Sequence, residues 1–180
     1  MAILKLNSHE VLTQSADNRP EFGAGVPSGT VVQTVIKNQR IGDGTMNNGD
    51  EVVGNSNTIT STFYNLSITT KLNNSKIHLV ALSPYVYAQT TTGAEIWFVR
   101  NPNTDNVDVN RPVVGTGYII YNTYNGGGSK TIIAYDTPNV SANTTLNYVI
   151  KFKRYAGSNN VWWVYDRGGF GVFTITELAA

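Results

Sequence analysis

The sequence contains no cysteine, which excludes a disulfide framework, thiolate metal sites and thiol nucleophiles together. Charge is scarce as well: 13 Lys plus Arg face 12 Asp plus Glu in 180 residues, a formal net charge of +1. That balance exerts no electrostatic pull on nucleic acid or on an anionic membrane, so neither is expected as a partner. Only two histidines occur, His9 and His78. His9 lies in the N-terminal segment, and a single histidine in the rest of the chain gives neither a Ser-His-Asp triad nor a multi-histidine metal centre strong support. His78 sits between Ile77 and Leu79 in an alternating pattern and therefore faces away from both, as a structural residue. No apolar run approaches the roughly 18–20 residues that span a bilayer. The stretch from Met1 to Gln14 has no continuous apolar core of the signal-peptide kind, so release by that route is not expected.

What is present is Asn, Thr, Ser and Gly, the uncharged residues of turns and of solvent-facing strand positions. A single domain of this length buries roughly 70% of the surface its unfolded chain exposes and needs no covalent staples. The chain divides at residue 29. Residues 1–29 begin with Ile3, Leu4 and Leu6, continue through Val11, Leu12 and Phe22, and carry Pro20, Pro27 and three glycines. Such a segment is extended and irregular by itself, and is expected to be an arm that packs on a partner. Residues 30–180 read as the folded domain.

In that domain short β-rich runs alternate with turn clusters. Strands are expected at Val31–Lys37, Thr58–Thr70, Lys76–Ser83, Ile96–Arg100, Gly117–Tyr124, Thr131–Tyr135, Leu146–Arg154, Val161–Asp166 and Gly171–Glu177. The apolar phase shifts near Asn65, which predicts a bulge or a corner. Asn73-Asn74-Ser75, Gly126-Gly127-Gly128, Gly157-Ser158-Asn159-Asn160 and Gly168-Gly169 read as connections. No segment keeps a helical period over three turns. The fold class is therefore all-β, a two-sheet antiparallel sandwich, and this many strands favour a jelly roll over an immunoglobulin-like fold.

Motifs that carry chemistry are weak. Asp43–Glu51 and Asp105–Asp108 offer oxygen ligands of the kind calcium takes, but ordinary Asx turns account for both. Paired carboxylates would suit glycoside hydrolysis, yet the 12 acids are dispersed, mostly between strands. No catalytic residue, metal site or cofactor is implied. In Val161–Tyr165, Trp163 and Tyr165 share one face, which suits either a subunit interface or a platform on which a host glycan stacks. In the last strand Phe170 and Val172 alternate with Phe173 and Ile175, and Leu178 follows. Bulky residues on both faces predict that both faces are covered, one by the opposite sheet and one by another subunit or the arm.

The phrase Val26-Pro27-Ser28-Gly29-Thr30-Val31-Val32-Gln33 and the ending Phe173-Thr174-Ile175-Thr176-Glu177-Leu178-Ala179-Ala180 resemble small virion structural proteins of tailed phages, especially those of cyanobacteria. Those proteins are labelled tail-fibre-like or capsid-decorating; they share the Pro-Ser-Gly-Thr-Val opening and end in Glu-Ile-Ala-Ala, where this chain has Leu178. The resemblance spans both ends and the strand plan, not the middle. It implies a tumour-necrosis-factor-like jelly roll that assembles as a homotrimer around strands including the last. Phe170, Val172, Phe173, Ile175 and Leu178 would then lie at the core or the trimer interface.

Two jobs follow from the resemblance. A capsid decoration (cement) protein needs a compact body and an anchor; Ile3, Leu4, Leu6, Val11, Leu12 and Phe22 supply one, with the major capsid protein or another virion protein as partner. Its place is the exterior of the phage particle, assembled in the host cytoplasm. A tail-fibre tip or carbohydrate-binding adhesin is the alternative, less suited because no shaft repeat is present.

Overall fold

The computed structural model describes the backbone of residues 3–6, 9–14, 20–22, 26–41, 53–54, 59–88, 92–101, 103–109, 118–122, 126–156, 161–162 and 169–180. Side chains are described for 26–38, 64–83, 95–101, 103–109, 128–151 and 170–180. Every regular element among these residues is a strand, and the strands pair antiparallel throughout.

Within the segment expected as an arm, β1 (Ile3–Leu6), β2 (His9–Gln14) and β3 (Pro20–Phe22) pair in sequence order as a small meander. Pro20 heads β3, which lies at the meander's edge, where a residue without an N–H is tolerated.

The body holds β4 (Val31–Ile41), β5 (Val53–Gly54), β6 (Ile59–Thr69), β7 (Lys76–Ala88), β8 (Thr92–Arg100), β9 (Val107–Val109), β10 (Tyr118–Asn122), β11 (Gly126–Asp136), β12 (Thr145–Ala156), β13 (Val161–Trp162) and β14 (Gly169–Leu178). One sheet runs β4-β14-β7-β11, with β13 and β5 extending it beside the far end of β7. The other runs β6-β12-β8, and β9 and β10 share the remaining edge of β8. The long strands thus pair first with last and inward from there: β4 with β14, β6 with β12, β7 with β11, β8 with β10. A ribbon of nested antiparallel pairs folded over into two sheets is a jelly roll, the architecture expected from strand count.

Three details differ from or refine the sequence reading. Gly126-Gly127-Gly128, expected as a connection, opens β11 and pairs with Ala88, Tyr87 and Val86 of β7; glycine's freedom includes the extended conformation, so the triplet does not end a strand by itself. Gly169, likewise expected in a connection, begins β14. The phase shift near Asn65 is a register break: Val149 pairs with Asn65 but Lys151 with Thr60.

The core lies between the sheets. Tyr64, Ile68, Ile77, Leu79, Phe98, Leu146, Tyr148, Ile150, Phe173 and Ile175 are almost wholly buried. Phe173 stacks on Phe98 across the sandwich with ring centroids 5.8 Å apart. Its burial alternates strictly with the half-covered residues of β14, which is the period of a strand with unlike faces.

The two terminal phrases of the domain meet. The Thr30 N–H donates to the Pro27 carbonyl at 3.1 Å, closing a turn whose third residue, Gly29, has φ of 82°. That position wants glycine because a Cβ disfavours the left-handed region. Beyond the turn, Gly29 N–H donates to the Ala179 carbonyl and Ala179 N–H to the Thr30 carbonyl, at 2.8 and 2.9 Å.

Candidate interaction surface

Residues of β14 that point away from the core lie on the outer face of the β4-β14-β7-β11 sheet. Cross-strand register carries the pattern onto its neighbours, since residues directly opposite share a face. Ile36, Thr174, Val80 and Ile133 stand in one row across all four strands. On one side of that row Val172 neighbours Leu82. On the other, Thr34, Thr176, His78 and Tyr135 form the next row. There Thr34 and Thr176 share a hydroxyl hydrogen bond at 3.2 Å, and the His78 and Tyr135 rings stack with centroids 4.6 Å apart. His78 faces away from Ile77 and Leu79, as the alternation predicts.

The described large apolar side chains that remain exposed are Val31, Ile36, Ile133, Tyr135 and Phe170, each 55–64% accessible. All five lie on this one face; Val31 joins it through its pairing with Leu178. The face measures about 14 Å between its outermost strands and about 26 Å along β14. Concentrated apolar exposure of that extent marks a contact surface, whereas scattered exposed residues do not. Covering what is still exposed of these five side chains would contribute roughly 4–9 kcal/mol before ordering costs. Association itself costs about 4–15 kcal/mol, so this face alone supports a contact of modest strength that gains from multiplicity.

The site residues expected from sequence separate. Phe173 and Ile175 are core. Phe170 is exposed on the outer face, and Val172 and Leu178 are half-buried there. The last strand therefore has one face covered by the opposite sheet and one open within a single chain. Ile3, Leu4 and Leu6 lie on β1, Val11 and Leu12 on β2 and Phe22 on β3; Leu4 pairs with Leu12, and Leu12 with Phe22, while their side chains lie outside the described residues. Trp163, Tyr165 and the Asp43–Glu51 loop also lie outside the described residues.

The acidic side chains that are described serve the framework. Glu177, fully buried, accepts from Lys71 N–H, Leu72 N–H, the Ser75 hydroxyl and Gln33 Nε2. Asp136 accepts from Arg100 at 2.6 Å and from the Tyr148 hydroxyl at 2.8 Å, tying the two sheets together. Burial, and then the Asp136 charge, push the Tyr148 phenol well above its ordinary range, despite the opposing effect of Arg100. In the second loop, Asp105 accepts from Asn101 Nδ2, Asp108 accepts from Trp97 Nε1, and Asn106 accepts from Lys151 Nζ. Among the described residues no three His, Asp or Glu side chains gather as a metal site.

Ile36, Ile133 and Tyr135 are the contributors that sequence reading passed over. Their signal was available in the doublets Val35-Ile36 and Ile132-Ile133, where adjacent apolar residues in a strand must point to opposite faces.

No family model and no curated protein matches the chain. Among solved structures the chain is similar to that described as "Structure of infectious bursal disease virus Gx strain", with a TM-score of 0.37 and 10% identity over 99% of this chain and 42% of that one. It is also similar to the "Crystal structure of infectious bursal disease virus VP2 subviral particle", with a TM-score of 0.28 and 10% identity over 94% and 50% of the two chains. The chain thus spans half or less of the length of these two proteins. The jelly roll rests on the strand pairings above rather than on this likeness.

Proposed function

We propose that the chain is a non-enzymatic structural protein of a phage particle, a capsid decoration (cement) protein that binds and stabilises the head shell as a homotrimer. Residues 1–29 anchor it to the major capsid protein or another virion protein, on the exterior of a particle assembled in the host cytoplasm. The observation that carries this reading is the confinement of all five described exposed large apolar side chains to one face of a jelly roll. A fold with one such face is made for assembly. The buried carboxylates that chemistry would need are saturated by framework hydrogen bonds instead. The Pro27–Val31 phrase and the final strand, on which the resemblance to phage virion proteins rests, bond to one another. The apolar residues of β1 to β3 can add several kcal/mol to docking, at about 1.5–3 kcal/mol for each side chain fully buried, and threefold repetition multiplies a weak single contact.

The test is co-sedimentation with phage capsids stripped of decoration, using the full chain and one lacking residues 1–25. The expected result is that only the full chain pellets with capsids. Equal binding by both forms refutes the anchoring role, and binding by neither refutes decoration. One observation favours a second reading, a carbohydrate-binding adhesin or tail-fibre tip: Tyr135, 64% exposed and stacked on His78, presents an aromatic ring on which a sugar can lie. Saturable binding of host glycans that is lost in Tyr135→Ala, by a protein that ignores capsids, selects that reading.

A further inference from the structure

Resting on the anchoring role proposed above for residues 1–29, we propose that the chain stands end-on on its shell. The contact is made by the end of the sandwich at which β4 begins and β14 finishes. The turns of that end, residues 27–30, 70–75, 101–106 and 137–144, meet a neutral, hydrogen-bonding patch of the shell protein. The far ends of the strands point outward.

The tether sets this orientation. The four turns share one end, because Thr69 pairs with Thr145, Arg100 with Tyr148, and Ile77 with both Asp136 and Glu177. The turn that leads into β4 is bonded to the end of β14: Gly29 N–H donates to the Ala179 carbonyl, Ala179 N–H donates to the Thr30 carbonyl, and Ala179 is buried. The segment before the turn therefore leaves the body from a fixed point at this end. From Phe22, the last residue of β3, to Pro27 is five residues, which span at most about 18 Å. β1 and β2 lie beside β3 at about 4.8 Å per strand. The opposite end of the sandwich is out of that reach. β14 covers about 30 Å from Leu178 to Gly169, and β7 about 40 Å from Lys76 to Ala88. A shell that holds β1 to β3 thus has these turns next to it.

The chemistry of the turns names the kind of surface they fit. Among their described residues ten exposed ones are Asn, Ser or Thr, against one exposed cation, Lys71, and one exposed anion, Asp105; Lys76 stands just outside them at the start of β7. A strongly charged or an apolar partner is poorly matched, whereas a neutral polar one finds donors and acceptors throughout. The turns are also held in shape before any contact. Asn74 N–H donates to the Val140 carbonyl, Asn143 N–H to the Thr70 carbonyl and Ala142 N–H to Asn73 Oδ1, while Asn101 and Asn147 share two hydrogen bonds. Every described non-glycine residue with positive φ is an asparagine in these turns: Asn74, Asn101, Asn106, Asn139 and Asn143, at 47–65°. Asparagine visits that conformation readily, so the turns close tightly without glycine's freedom. A surface ordered in advance loses little entropy on binding, and the tether raises the effective concentration of a contact that is weak alone.

The absence of cysteine from the chain makes a direct test available. Ser141 is exposed in the turn between β11 and β12, and Thr131 is exposed on the outer face of β11, about 17 Å back along the strand from Asp136. Each is replaced singly by cysteine in the full chain and labelled with benzophenone maleimide. The labelled proteins are bound to capsids stripped of decoration and illuminated. The expected result is an adduct with the shell protein, heavier than either chain on a denaturing gel, from Ser141→Cys and none from Thr131→Cys. Ser141→Glu, checked for an unchanged circular dichroism spectrum, is expected to weaken binding on the order of tenfold, because it sets a charge against neutral groups. An adduct from the Thr131 label overturns the orientation, as does none from the Ser141 label in a chain that still pellets. Unchanged binding by Ser141→Glu overturns the contact. A parent chain that does not pellet refutes decoration itself before any label is read, so the two failures are told apart.

Discussion

Replacing Glu177 tests whether a buried carboxylate, rather than an apolar contact, holds the end of the sandwich together. Glu177 is fully buried at the end of β14. Its Oε1 accepts from Lys71 N–H at 2.9 Å, Leu72 N–H at 3.0 Å and the Ser75 hydroxyl at 2.5 Å, while Oε2 accepts from Gln33 Nε2 at 2.6 Å. One side chain thereby fixes the turn between β6 and β7 to the first and last strands of the domain. Glu177→Ala leaves these donors unequal. Gln33 also donates to the Thr69 carbonyl, and the Ser75 hydroxyl reaches the Leu72 carbonyl, so both keep an acceptor. The Lys71 and Leu72 N–H groups carry the loss. At about 1–3 kcal/mol for each of the two orphaned donors, the cost is about 2–6 kcal/mol before the lost packing of the side chain.

Glu177→Gln keeps the shape. Its oxygen can serve Lys71, Leu72 and Ser75, but its NH2 then points at Gln33 Nε2, donor against donor. Relief requires the Gln33 amide to flip and abandon the Thr69 carbonyl, a loss of about 1–2 kcal/mol. The assay is urea unfolding followed by fluorescence of the three tryptophans. It is run at one protein concentration for every variant, so that concentration does not move the midpoint. Alanine is expected to cost at least twice as much as glutamine. A Glu177→Ala loss below about 0.5 kcal/mol would falsify the network as a source of stability, since that is the range of an ordinary surface change.

Two further outcomes follow from the same framework. Above about pH 10 an unfolded tyrosine loses its proton while folded Tyr148, raised by burial and by Asp136, keeps it, so the folded state binds more protons and stability falls with rising pH, by at most about 1.4 kcal/mol per unit. Below that pH the contribution is fully present; Tyr148→Phe should flatten the fall in urea midpoint between pH 10 and 11, as estimated from phenol titration, and an unchanged slope refutes the assignment. Gly29→Ala places a Cβ on a residue with φ of 82° but meets no heavy atom within 4 Å, so the cost is backbone strain alone, about 1–2 kcal/mol; a neutral midpoint shift in thermal unfolding shows instead that the turn relaxes.

The jelly roll was legible because its strands announce themselves locally. Ile77 and Leu79 on β7, Phe173 and Ile175 on β14 and Leu146 to Ile150 on β12 alternate or cluster as a half-buried or doubly packed strand must. The bulge opposite Val149 showed as a change of phase. Less legible were features created by long-range pairing. Glu177 is 102 residues from Ser75 and 144 from Gln33, and nothing near it in sequence distinguishes a buried carboxylate from a solvent-facing one. The same holds for Asp136, which finds Arg100 and Tyr148 only once the two sheets close.

The outer face lies between these cases. Its members are apolar residues placed one step out of phase with the core, and each strand taken alone hides the meaning of that step. A doublet such as Val35-Ile36 says that both faces of β4 carry apolar residues; it does not say whether the second face is roofed by the chain's own segments. Register supplies what the doublets lack, because it sets Ile36, Val80 and Ile133 side by side, and exposure then shows the row still uncovered at both ends. A lone exposed isoleucine is unremarkable on any protein. Ile36 and Ile133 at the two ends of one row across four paired strands, with Tyr135 and Phe170 on the same face, gather apolar exposure in the way that marks a contact surface.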